Sequence, residues 1–93
     1  MSKSIPQKIK KEVLKRDNGE CQRCFGIGSQ IHHIVNAGMG RRRNHAIENL
    51  ITLCTNCHNI SHTDKDVRNW CFEWSRERYG DKIDEIYFER KRG

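Results

Sequence analysis

No stretch of this 93-residue sequence is long or apolar enough to cross a membrane. The opening MSKSIPQKIKKEVLKRD holds no continuous apolar segment of the kind a secretory signal needs. The expected setting is therefore a reducing intracellular compartment, without a membrane partner. Apolar residues are scarce, at 34% against 32% charged. A chain this short and this polar buries too little surface to be stable through its core alone, so a staple is expected. Repeats, low-complexity tracts and interdomain linkers are also lacking, and residues 1–93 read as a single domain. The cysteine count is odd, at five, which argues against a complete disulfide set.

Four of those cysteines form two C-x-x-C pairs, Cys21/Cys24 and Cys54/Cys57. In a reducing compartment structural disulfides are rare and thiolate–zinc sites are common. A closed zinc site takes four ligands in a tetrahedron, and each C-x-x-C pair brings two sulfurs to one ion. Zn²⁺ held by Cys21, Cys24, Cys54 and Cys57 would tie the start of the chain to its middle. Such a staple belongs equally to enzymes and to binding modules. Cys71, the remaining cysteine, falls on an apolar helix face and reads as a small core hydrophobe. The net charge of +6 is consistent with a nucleic-acid partner without proving one.

Local patterns predict an α+β chain. Pro6 to Arg16 reads as a helix with Ile9, Val13 and Leu14 on one edge, broken by Asp17-Asn18-Gly19. Ile31–Val35 (IHHIV) and Asn49–Leu53 (NLITL) read as strands. Between them runs a loop, Asn36 to His45, carrying Arg41-Arg42-Arg43. A short helix is expected from Cys57 through CHNISH. A longer one has Val67, Trp70, Cys71 and Trp74 on one face and ends at Gly80; a last helix leads into Arg90-Lys91-Arg92.

All five histidines, at 32, 33, 45, 58 and 62, lie between the first knuckle and the end of CHNISH. His32 and His33 are adjacent on a strand, so one can bind a metal while the other acts as a base. His58 and His62 stand at i, i+4, a spacing that lets two imidazoles of one helix grip one ion. His45 has no assigned role and reads as a surface histidine.

IHHI, a glycine- and arginine-containing loop, ENLITLC and CTNCHNISH together resemble the HNH endonuclease family over about Arg16 to His62. The resemblance implies a small ββα-metal core spanning about residues 16–62, a four-cysteine zinc site, and flanking helices with a C-terminal helical extension at about 65–90. It implies that His33 is the general base and that Asn49 holds the loop between the strands so that the base is correctly aimed. His32 and His58 become ligands of a catalytic divalent ion, and His62 matches a third ligand found in some branches of the family. The activity implied is metal-dependent hydrolysis of DNA phosphodiester bonds, nicking duplex DNA when one protomer acts alone. By family analogy the products carry 5′-phosphate and 3′-hydroxyl ends.

The chemistry suits these residue types. A divalent ion acts as a Lewis acid on phosphate, and an imidazole with a pKa near ~6.5 accepts a proton from water near neutral pH. Imidazole-rich sites favour Mn²⁺, Co²⁺, Ni²⁺ or Zn²⁺ over Mg²⁺, so Mn²⁺ or Co²⁺ should serve at least as well as Mg²⁺. One of Arg41, Arg42 and Arg43 can clamp the scissile phosphate. Lys8, Lys10, Lys11, Lys15 and Arg16 form a basic face on the first helix that can track the DNA backbone. Stand-alone chains of this size resemble those of phages and mobile elements, including DNA-packaging accessory factors; a homodimer or a packaging partner fits that context. The competing reading is a non-catalytic zinc-finger module that binds nucleic acid or protein, which leaves His33 and Asn49 without a purpose.

Overall fold

The computed structural model describes residues 5–35 and 45–92. Helix α1 spans Gln7–Arg16, with Pro6 as its cap rather than its first residue. It stops where expected. Asn18 and Gly19 turn to φ of 58° and 65°, and the Gly19 N–H closes back onto the Leu14 carbonyl at 2.9 Å. A left-handed turn of this kind suits glycine, which has no Cβ to clash with the backbone.

Strands β1 (Gln30–His33) and β2 (Leu50–Leu53) form an antiparallel pair, with Gln30 opposite Leu53 and His33 opposite Leu50. All four β2 residues are buried. β1 covers one edge of β2, and the first knuckle covers the other. The Gln22 N–H donates to the Thr52 carbonyl at 3.0 Å, and the Thr52 N–H donates to Asp17 Oδ2 at 3.0 Å. Gly28 lets the knuckle lie this close: a Cβ there would come within 2.3 Å of Thr52 Cγ2 and 3.0 Å of the Glu20 backbone.

Helix α2 (Thr55–Thr63) follows β2 directly, then α3 (Lys65–Tyr79) and α4 (Lys82–Arg92). Asp64 starts α3 by accepting the Asp66 N–H at 2.9 Å, and Gly80 ends it at φ 69°. Val67, Cys71 and Trp74 line its buried face, whereas Trp70 is partly exposed. The core joins Cys21, Ile34, Val35, Ile51, Leu53, Cys57, Cys71, Trp74 and Ile83, so the α3–α4 pair packs on the ββα unit. Arg76 ties α4 to α3 through Asp84 (2.6 Å). Among the described residues no helix is long and apolar enough to cross a membrane.

Both strands are cut short at the ends that face the connecting loop, and one residue explains both. β1 ends at His33 rather than Val35, and β2 begins at Leu50 rather than Asn49. Asn49 sits instead at the end of a 3-10 turn, Ile47–Asn49, fully buried. Its side chain takes the backbone of Val35 that a longer ladder would have paired: the Val35 N–H donates to Oδ1 at 2.7 Å, and Nδ2 donates to the Val35 carbonyl at 3.3 Å.

Arg16 also departs from its assigned place on a DNA-facing surface. Its guanidinium makes a two-pronged bond to Asp17 (2.7 and 2.9 Å), donates to the Ile47 and Leu50 carbonyls, and packs over Trp74 at 4.8 Å. A planar fork of donors committed to internal acceptors holds the fold together and is not offered to phosphate.

Candidate functional site

The four cysteines come together as two pieces of local structure. In the first knuckle the Cys24 N–H points at Cys21 Sγ (3.4 Å), the Phe25 N–H returns to the Cys21 carbonyl (2.8 Å), and Glu20 and Ile27 bridge its base. The second knuckle is the entry to a helix rather than a turn before one. Cys54 is the N-cap of α2, its Sγ accepting the Cys57 N–H at 3.3 Å, so α2 starts at Thr55 and not at Cys57. One residue thereby caps a helix and presents a sulfur at its positive end, where a thiolate is favoured.

The four Sγ atoms lie within 4.8 Å of one another, with Cys24 and Cys54 at 3.6 Å. A zinc tetrahedron with ~2.3 Å Zn–S bonds has edges of about 3.8 Å, so this donor set fits a zinc ion. The thiols are pulled in different directions. Burial pushes the Cys21 thiol up, but the N–H groups of Cys24, Cys54 and Arg23 outweigh it and bring it down to about 6. The Cys57 N–H lowers Cys54, while burial drives Cys57 up to about 12. Four adjacent thiols cannot all ionise without a cation among them, which is what a metal supplies. Arg23 adds positive charge at the edge, its guanidinium 3.7 Å from Cys57 Sγ. Cys71 stands apart: burial pushes its thiol up to about 12, the state of an inert core residue.

The histidines assemble differently. His32, buried in β1, meets His58 and His62 of α2, with ring centroids 5.2, 5.9 and 4.7 Å apart and rings nearly perpendicular. Three imidazoles placed tetrahedrally around one ion, at ~2.1 Å per bond, would have centroids about 5.3 Å apart. Burial lowers His32 from the ordinary 6.5 to about 4, assisted by the charges of His58, His62 and His33. Burial, then His62, also lowers His58. Both rings are therefore held neutral, the form that offers a lone pair to a metal. Among the described residues only the cysteines form a metal-ligand group already drawn together. The imidazoles are neighbours whose nitrogens an ion would still have to gather.

His33, next along β1, is half-buried, and its Nε2 lies 3.2 Å from Nδ1 of His45. Asn49 anchors the same corner. Besides gripping Val35, its carbonyl accepts the Ile34 N–H and its N–H donates to Ala46, each at 2.8 Å. The chain immediately after His33 and the chain immediately after His45 are thus tied to one buried amide. Arg41, Arg42 and Arg43 lie outside the described residues.

Sequence reading thus named His32, His33, Asn49, His58 and His62; the fold brings His32, His58 and His62 together, and places Asn49 against the chain that follows His33. It missed two residues. Arg23 hides inside the first C-x-x-C pair, where the x positions ordinarily face solvent. His45 lies 12 positions from His33 at the far end of an irregular loop, and no periodicity predicts their meeting. The surplus of histidines over the assigned roles was the available signal. No curated protein and no solved structure matches the chain. Residues 19–64, about half the chain and the part that carries both knuckles, both strands and the imidazole cluster, match the family model for HNH endonuclease; through this segment the chain belongs to the HNH endonuclease family.

Proposed function

We propose that this protein is a metal-dependent endonuclease that hydrolyses phosphodiester bonds of DNA. The observation that carries the reading is the pairing of two functions on consecutive β1 residues. His32 turns into a cluster of imidazoles with His58 and His62, while His33 stands beside it on a strand end clamped by Asn49. A Zn²⁺ held by Cys21, Cys24, Cys54 and Cys57 would serve structure, since these residues join the first knuckle to the start of α2 and Cys21 and Cys57 belong to the core.

In this reading His33 removes a proton from water as the water oxygen attacks phosphorus in line with the leaving oxygen. One P–O bond forms, the P–O3′ bond breaks, and the proton that the leaving oxygen needs comes from solvent. Held by His32, His58 and His62, a divalent ion such as Mn²⁺, Mg²⁺, Co²⁺ or Ni²⁺ would supply Lewis-acid neutralisation of phosphate and leaving-group charge. Asn49 takes no part in the bonds that change; it keeps the base aimed by holding both ends of the loop. Arg41, Arg42 and Arg43 are assigned to phosphate contact, and DNA is the partner. A phage setting, an intracellular location, and a homodimer or packaging partner belong to the same reading.

The test is nicking of supercoiled plasmid by the parent protein and by His33→Ala, each carrying its structural zinc and stripped of loosely bound metal, across added divalent ions. Metal-dependent nicking that falls by about 10²-fold or more in folded His33→Ala is the expected result. No cleavage by the parent with any metal would leave a zinc-stapled binding module. Equal cleavage by both proteins would remove His33 as the base.

A further inference from the structure

His45 is the one histidine to which the proposed reaction gives no role, yet its Nδ1 lies 3.2 Å from Nε2 of His33. The ring centroids are 5.3 Å apart with the planes inclined at 47°, a side-by-side approach through nitrogens rather than a stack. His45 is half-buried, and its position is braced by its neighbour: the Ala46 carbonyl accepts the N–H of the buried Asn49. The contact is therefore built from both ends of the same clamped loop.

Two ring nitrogens at hydrogen-bonding distance share one proton, so one donates and the other accepts. If His45 Nδ1–H donated, the Nε2 lone pair of His33 would be occupied and its proton would sit on Nδ1, leaving no basic nitrogen for water. If His33 Nε2–H donates, the lone pair of His33 lies on Nδ1. The ring can then take a proton there while the contact to His45 persists and strengthens, because the donor has become cationic. Only the second arrangement is compatible with a base at His33.

We infer that His45 is a positioning residue for the proposed reaction: it accepts the Nε2 proton of His33, fixes that ring in the Nε2–H tautomer, and aims Nδ1 at the attacking water. The inference rests on the nuclease reading given above. The bonding steps are unchanged, and the proton taken from water ends on His33 Nδ1. His45 touches neither phosphate nor water in this scheme; it acts through His33, as an orienting acceptor does behind a catalytic histidine.

Two measurements on the zinc-bound chain test it together. The first is ¹⁵N-resolved NMR of the imidazole rings at about pH 8.5, where an ordinary imidazole near ~6.5 is neutral. The second is plasmid nicking with Mn²⁺ under saturating and limiting DNA. Both are made on the parent, His45→Ala and His45→Asn; the asparagine can place an amide oxygen where Nδ1 stood. His33 should be the Nε2–H tautomer in the parent and tautomerically averaged in His45→Ala. kcat should fall about 10- to 100-fold in His45→Ala with KM changed by less than about two-fold. His45→Asn should recover both the tautomer and most of kcat. An Nδ1–H tautomer in the parent, or a His45→Asn protein no faster than His45→Ala, overturns the inference. So does a parent that cuts DNA alongside a His45→Ala protein with equal rate and unchanged ¹⁵N shifts, and this outcome leaves the nuclease reading standing. A parent that cuts with no metal series at all removes the nuclease reading and the inference with it.

Discussion

The cysteine cluster and the histidine cluster lie on the same short ββα unit and are assembled by opposite means. Each cysteine pair is a piece of local chain whose own N–H groups fold onto its sulfurs, at 3.4 Å in the first knuckle and 3.3 Å at the cap of α2. The first knuckle then packs on the edge of β2, and the two preformed pairs meet with all four sulfurs within 4.8 Å. The imidazoles depend on packing: His32 reaches His58 and His62 because β1 lies against α2, and their nitrogens are less tightly gathered. Pairs made of local turns arrive with their donors already set, which suits a structural ion.

The sharpest way to break this contrast is to remove the metal from the cysteine side. A strong chelator, or Cys57→Ala, should abolish the cooperative thermal transition followed by circular dichroism. Structural zinc contributes about 10 kcal/mol or more in small domains, comparable to their whole stability of ~5–15 kcal/mol. His58→Ala should keep the transition and the structural zinc. Equal damage from the two substitutions would mean that the imidazole cluster is also part of the staple.

Next in size is the clamp between the two regions. Asn49→Ala strips the buried Val35 backbone of both side-chain partners, and each orphaned group costs roughly 1–3 kcal/mol. A loss of about 2–4 kcal/mol in denaturant unfolding is expected, with the zinc content unchanged. A loss below about 0.5 kcal/mol would show that water replaces the amide and that the clamp contributes little to stability.

A smaller effect separates the two clusters by pH. His32 is lowered from 6.5 to about 4, so between those values the unfolded chain binds the extra proton and the folded chain does not. Its contribution to stability is full above about 6.5 and is lost as pH falls towards about 4. Acid also strips metal from thiolates, so the comparison is between the parent and His32→Asn. Over that interval the variant should lose stability less steeply. Parallel curves would mean that His32 is not held neutral by its burial.

The smallest expected change is at Phe25, which takes φ 65° in the first knuckle while 74% exposed. Phe25→Gly should stabilise by about 0.5–1 kcal/mol, since glycine enters that region without strain and no packed side chain is lost. Destabilisation would show that the ring stiffens the knuckle, making even the local half of the comparison depend on a side chain.

The same division governs what could be read in advance. Helix α1 and its stop at Asp17-Asn18-Gly19, the apolar face Val67–Cys71–Trp74 and the end of α3 at Gly80 were legible because each follows from neighbours a few residues apart. The ends of β1 and β2 were not. Backbone alternation favoured longer strands, but a buried amide 14 positions away took the Val35 hydrogen bonds. Arg16 misled for a related reason: as one of a row of basic residues it read as surface, and only the folded chain supplies Asp17, Ile47, Leu50 and Trp74 as its partners.

By itself the sequence determined the two sulfur pairs, the i, i+4 histidines and the order of elements, because spacing along a helix or a turn dictates which side chains share a face. Only the tertiary structure decided that Arg23 reaches Cys57 and that His45 comes back to His33. Those contacts join residues whose separation along the chain carries no periodic signal, and burial and hydrogen-bond geometry choose among the many partners that local rules leave open.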